Sequence, residues 1–211
     1  MGSLKGHTLQ YFKAKGASCY GCDPAIEAVE FCKKQGLNVV PTQMGSLKLF
    51  KETKFDVVML LNVLEHVADP IKTIKEIKNE VLRKGGILVI EVPNDYNAFQ
   101  ECATKVHNIK KWWVAPPAHL NYFNKDTLCA LLKGNEFRVE ELIGSFPLEM
   151  FLLFGDNYVG NASLGRECHN KRVAFEMNLI ANGYQNELSS FYKALAQANL
   201  GRQILVYAKN V

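Results

Sequence analysis

The chain has 211 residues, 48% of them hydrophobic, and a formal net charge of +4. That length supports one sizeable core. The mild charge points to no polyanionic partner, and no stretch approaches the roughly 18–20 apolar residues of a membrane span. Neither a nucleic acid nor a membrane is therefore expected as a partner. The amino terminus shows no signal-peptide core, and the six cysteines are scattered rather than set as a secreted framework, so a reduced, cytoplasmic setting is expected. Cys19 and Cys22 form a C-x-x-C, but the pair straddles a strand end and no second pair supplies two more ligands. Buried thiols are expected there, and no metal.

Taken in order, Thr8–Lys15 reads as a helix that stops at Gly16. Ser18–Gly21 reads as a strand ending in Cys22-Asp23-Pro24, and a second helix, Ala25–Gln35, stops at Gly36. A glycine turn, helix, strand and acidic residue make a nucleotide-binding arrangement. Glycines let the backbone approach a ligand, and an acidic group about twenty residues on can accept both ribose hydroxyls. Gly2, Gly6 and Asp23 have that spacing. Leu37–Pro41 is a short third strand.

Lys54–Asn94 is the most regular stretch. Phe55–Leu61 is apolar and β-branched enough for a strand buried on both faces. Asn62–His66 forms the turn after it, and Asp69-Pro70 starts a helix expected over Pro70–Arg83. Gly85-Gly86 is expected to end that helix as a left-handed cap. Ile87–Val92 is a second buried strand, closed by Pro93-Asn94. Such a strand, helix and parallel strand form the basic α/β unit.

Beyond it, Asn97–Val106 and Lys125–Lys133 read as helices, the latter capped by Asn124, and Phe137–Ile143 alternates as a strand. Between them Lys110–Pro117 carries Trp112 and Trp113 in a loop that its prolines keep from being helical. Pro147–Leu200 is mostly helical, with longer pieces over Arg166–Ile180 and Asn186–Ala198. Gln203–Ala208 is a closing strand.

"FDVVMLLNVLEHVADP" and "LRKGGILVIEVPN" resemble the fourth and fifth strands, with their loops, of class I S-adenosylmethionine-dependent methyltransferases. "HLNYFNKDTLCALLKGNEFRVEEL" resembles the segment after that family's fifth strand. The resemblance implies an α/β, Rossmann-like, three-layer fold over residues 1–211. Its sheet is mostly parallel, in the order 3-2-1-4-5-7-6, with the last strand antiparallel. Segments 96–123 and 147–200 then read as insertions on the substrate side. Gly2 and Gly6 match the first and third glycines of the family loop, and Leu4 replaces the middle one. The family's acidic residue and first strand fall before Met1. The expectation is a gap between strands two and four, unless another segment or a second copy, as in a homodimer, supplies the missing strand.

Carried over residue by residue, the cofactor S-adenosylmethionine is expected on Gly2, Ser3, Gly6, Asp23, Pro24, Met44, Gly45, Ser46, Asn62, Val63 and His66. The acceptor is expected near Asn94, Asp95, Trp113, His119 and Tyr122. Methyl transfer to a hydroxyl or amine needs a proton removed. His119 and His66 are the candidates, since imidazole as a group titrates near neutrality, and Tyr122 can orient the acceptor. The expected function is methyl transfer to a small-molecule acceptor at oxygen, carbon or nitrogen. A non-catalytic binding or scaffold protein on the same fold stays open. So, less strongly, does a nicotinamide-dependent oxidoreductase, whose G-x-G-x-x-G the chain lacks.

Overall fold

The computed structural model describes residues 6–42 and 53–211. Gly2, Ser3, Met44, Gly45 and Ser46, all expected at the cofactor, lie outside the described residues.

Helix α1 (His7–Ala14) opens at Gly6, whose φ is 71°. A Cβ there would lie 2.5 Å from Leu37 Cδ1 and 3.0 Å from Cys32 Sγ. Only glycine meets both demands. Strands β1 (Tyr20–Asp23) and β2 (Asn38–Pro41) pair in parallel, with α2 (Ile26–Lys34) as their crossover. Their shared core is small: Val29, Cys32, Leu37 and Val39, with Leu9 packed against it. Cys22 is buried, and burial raises its pKa.

Strand β3 (Phe55–Leu61) leads through a 3-10 turn, Leu64–His66, into α3 (Pro70–Glu76). Asp69 caps α3 by accepting the Lys72 N–H at 2.9 Å, and Pro70 fills the first turn. The expected end of this helix is corrected. It widens into a π-turn over Ile77–Val81, and Leu82 already belongs to β4 (Leu82–Pro93). Gly85, with φ 76°, therefore turns the backbone inside β4 rather than capping a helix. Gly86 sits where a Cβ would lie 2.8 Å from Leu82 Cδ1 and 3.0 Å from the Asp56 carbonyl, so glycine lets β4 approach β3.

Helices α4 (Ala98–His107) and α5 (Lys125–Gly134), strand β5 (Phe137–Gly144), helices α6 (Glu149–Leu153), α7 (Ala162–Ala181) and α8 (Gln185–Gln197), and strand β6 (Gln203–Asn210) follow. Helix α7 starts earlier than periodicity indicates because Asn161 caps it, accepting the Leu164 N–H at 3.1 Å. The second sheet has the order β3-β4-β6-β5, with β3 and β4 parallel and β6 antiparallel to both its neighbours. Its core includes Leu60, Ile74, Ile77, Leu88, Ile90, Leu128, Leu132 and Ile204, each 0% exposed.

The two sheets are separate, as the sequence led us to expect. No described strand lies between β1 and β3. A slot of about 450 Å³ runs there, walled by Phe12, Tyr20, Cys22, Val57, Met59 and Val81 among others. At its amino end the Tyr20 and Phe55 rings meet edge-on, 5.7 Å between centroids. The slot corrects one expectation. Phe55–Leu61 is not buried on both faces: Val57 is 44% exposed, and of the strand only Leu60 is fully buried. An apolar run of this length encodes burial, but burial needs a neighbour on each side, and among the described strands β3 pairs only with β4.

Candidate active site

Ligands of open α/β sheets sit outside the carboxyl ends of the strands. At the carboxyl end of β1, Asp23 is 4% exposed and its Oδ1 accepts the Ala25 N–H at 2.9 Å. Its carboxylate thus rests against the amino end of α2, where the helix dipole favours negative charge. Pro24 beside it is exposed.

At the carboxyl end of β3, Asn62 takes the left-handed conformation, with φ 53°. Its N–H donates to Glu91 O at 2.9 Å, and its Oδ1 accepts from Gln203 Nε2 at 2.8 Å. This turn breaks the strand sharply and sends Val63 into the core, 2% exposed. Glu65 follows almost fully buried, at 1%, while His66 stays half-buried beside it.

The loop after α4 folds across this turn and is stitched to it. Leu120 and Asn121 both donate their N–H groups to Glu65 O, at 2.8 and 3.0 Å. Asn121 Nδ2 donates to Val67 O at 2.7 Å, and His66 Nδ1 lies 2.6 Å from Ala118 O. These bonds bring the His119 ring edge-on to His66, with 4.9 Å between centroids. Tyr122 stands 6.3 Å from His119, and its hydroxyl accepts the Ala115 N–H at 3.2 Å. Trp113 is buried, edge-on to Tyr96 at 5.8 Å and to Trp112 at 4.8 Å. Lys111 lies 4.8 Å over the Tyr96 ring and pairs with Glu101 at 2.7 Å. The result is an aromatic wall with a basic rim.

Two buried carboxyls lie beneath that wall. Burial pushes Glu65 up, partly offset by hydrogen bonding to its own backbone and by His66. Asp95 is 1% exposed, and burial together with the charge of Glu65 pushes it to about 7. Glu65 Oε2, Trp113 Nε1 and His119 Nδ1 have no hydrogen-bond partner, and the Phe123 backbone only partly offsets the rise at Asp95. Burial, and next the proximity of His66, lowers the His119 pKa. The imidazole is thus neutral near pH 7, the form that can take up a proton or ligate a cation.

The structure brings His66, His119, Tyr122, Trp113 and Asp95 into one neighbourhood. Asn94 has a different task. It is 0% exposed, and its Nδ2 donates to Gly201 O at 2.7 Å and Asn199 O at 3.2 Å. It anchors the turn before β6 rather than facing the cleft. Glu65 was not singled out from sequence. The available signal was a carboxyl beside a histidine at a strand's carboxyl end, after the apolar Val63 and Leu64.

A doubly wound α/β sheet with a cleft at its strand ends, and an antiparallel strand inserted beside the edge strand, defines the class I methyltransferase fold. The chain belongs to the methyltransferase-domain family, whose model matches residues 1–142. No curated protein matches it. Among solved structures, an S-adenosylmethionine-dependent methyltransferase of Archaeoglobus fulgidus superposes with a TM-score of 0.61 at 18% identity, over 99% of this chain and 83% of that one. One of Thermotoga maritima gives 0.59 at 15%, over 100% and 80%. The [4+2]-cyclase SpnF gives 0.59 at 15%, over 99% and 72%. At such identities these likenesses establish the fold. The cyclase shows that the fold also hosts other reactions.

Proposed function

We propose that the chain binds S-adenosylmethionine at the carboxyl ends of β1 and β3 and transfers its methyl group to a small-molecule acceptor held under the aromatic wall. The observation that carries this reading is the stitching of two distant loops through Glu65 O and Ala118 O. It sets His66, His119 and Tyr122 together beside the turn at Asn62. In the proposal Asp23 accepts the ribose hydroxyls, and Asn62, Val63 and His66 border the methionine end. Gly2, Ser3, Gly6, Met44, Gly45 and Ser46 complete the cofactor contacts. Segments 96–123 and 147–200 form the acceptor side, Trp113 and Tyr122 shape its wall, and Asp95 lies at its floor.

The sulfonium is already activated, so the protein's main task is alignment of donor and acceptor. A neutral His119 next to the acceptor can take its proton, an effect worth about 10²–10⁴-fold. The open flank of β3 further supports pairing between copies, which light scattering of the purified chain tests directly.

Calorimetric titration of S-adenosylhomocysteine into the full chain tests the core of the proposal. Binding is expected, weakened at least about tenfold by Asp23→Ala through loss of a charge-assisted hydrogen bond of roughly 1.5–3 kcal/mol. Absence of binding to the unmodified chain removes the enzyme reading and leaves a scaffold on the same fold.

A further inference from the structure

Several lone pairs converge beside the turn after β3. His66 Nδ1 lies 2.6 Å from Ala118 O, and a carbonyl can only accept. Nδ1 therefore carries the proton, and Nε2 presents a lone pair. That lone pair faces Glu65 Oε1 at 3.6 Å, which only accepts when the carboxyl is ionised. Glu65 Oε2 is buried without a partner, on a residue 1% exposed, and so is His119 Nδ1. The ligand atoms of Glu65, His66 and His119 all lie within 4.8 Å of one another.

A second proton on His66 does not resolve this. At 3.6 Å its contact with Glu65 is too long for a hydrogen bond, and His119 Nδ1 and Glu65 Oε2 stay unsatisfied. A cation shared by the three side chains resolves it.

We propose that Glu65, His66 and His119 form a binding site for one divalent transition-metal ion of the zinc type. Two imidazoles and a carboxylate are the donor set such ions take when three protein ligands hold them, whereas magnesium and calcium favour oxygen. The backbone carbonyl on His66 Nδ1 is the outer partner that fixes a ligating imidazole's tautomer and orientation. Tetrahedral ligands at about 2.0–2.2 Å from zinc stand about 3.3–3.6 Å apart, so the side chains close inward from 4.8 Å by small rotations. The His119 ring is only half-buried, so a fourth ligand can reach the site from solvent.

Here the inference meets the methyltransferase reading and, for this clause alone, rests on it. An acceptor oxygen at the fourth position becomes more acidic on the ion. His119 would then serve as a ligand rather than as the base, and the acceptor's proton would pass to solvent water.

The test is Co²⁺ titration of the full chain after chelator dialysis, followed by visible absorption, with S-adenosylhomocysteine titrated in parallel. One equivalent is expected to bind, with no thiolate charge-transfer band. His119→Ala and Glu65→Gln are expected to weaken it at least about 100-fold, at or beyond the top of the ~10–100-fold range for losing an outer-shell partner. Cys19→Ser is expected to leave it unchanged. Circular dichroism checks that each variant is folded, and Glu65→Gln keeps the side-chain volume if His119→Ala fails that check. A thiolate band, no binding, or unchanged binding in a folded ligand variant overturns the site. Cofactor binding without Co²⁺ binding removes the metal site alone. Co²⁺ binding without cofactor binding supports the metal site while the methyltransferase reading falls.

Discussion

Each of the two sheets contains one parallel strand pair joined by a helix, yet they stand on different footings. In the β3-β4-β6-β5 sheet, β4 and β6 have partners on both sides, and helices α3 and α5 bury Ile74, Leu128 and Leu132 against it. The β1-β2 pair has one ladder, a handful of core residues and an open flank toward the slot. Two strands with so little core are marginal on their own. The cofactor proposal draws on both footings, with Asp23 on the lightly held sheet and Asn62 and His66 on the firm one. Ligand binding to the native state would then stabilise the lightly held part most.

The comparison breaks most visibly under core truncation. Leu128→Ala is expected to cost about 2–5 kcal/mol of global stability, read as a lower urea midpoint. Val39→Ala, in the small core, is expected to leave that midpoint nearly unchanged. It should instead speed hydrogen exchange in Ile26–Lys34 and Asn38–Pro41, which open before the larger sheet. Equal midpoint shifts for the two variants would mean that the sheets unfold as one unit.

A second effect is tied to pH. The folded state raises Asp95 from 3.8 to about 7, so it favours the protonated carboxyl. That contribution is fully present below the unfolded value and is lost as pH rises through about 7. In chelator-treated protein, Asp95→Asn is expected to gain on the unmodified chain across that window. The gain is on the order of 2–4 kcal/mol by pH 8, measured by urea unfolding at pH 4, 6 and 8. A pH-independent difference would show that the cost is packing rather than charge.

Smaller still is the start of α4, which ties the larger sheet to the aromatic wall. Asn97 accepts the Gln100 N–H at 3.0 Å, Gln100 reaches back to Asn97, and Asn97 Nδ2 donates to Asn94 O at 2.8 Å. Asn97→Ala is expected to cost about 0.5–2 kcal/mol, read by thermal denaturation. An unchanged melting temperature would show that this tie adds nothing to the larger sheet.

Much of this could be read from the residues in order. Asp69-Pro70 and Asn124 announced their helices through capping chemistry, which is local, and the structure shows both caps. The alternation in Phe137–Ile143 likewise marked a strand. The π-turn at Ile77–Val81 escaped because helical spacing continues through it, and Gly85-Gly86 resembles a cap until the neighbouring strand is known. Val57 escaped for the same reason, since its exposure depends on what stands beside β3. Least visible were Glu65 as a member of the site and the depth at which Glu65 and Asp95 are buried. Their burial arises from a loop far along the chain whose N–H groups bond to Glu65 O, and no local pattern encodes that contact.

The smallest effect concerns how the lighter sheet holds together. Lys13 Nζ donates to Gly36 O at 2.7 Å and is exposed. This bond joins the end of α1 to the turn that starts β2. Gly36 itself has φ 70°, so its carbonyl direction is set by the turn rather than by the lysine. Water competes for the ammonium, and exposed charged contacts contribute about 0–1 kcal/mol. Lys13→Ala is therefore expected to leave the urea midpoint unchanged and to raise hydrogen exchange at Leu37 and Val39 by no more than about fivefold. Exchange confined to those amides would place α1 within the β1-β2 unit. Exchange spreading to Phe55–Leu61 would mean that α1, which walls the slot through Phe12, couples the two sheets, and the contrast between them would narrow.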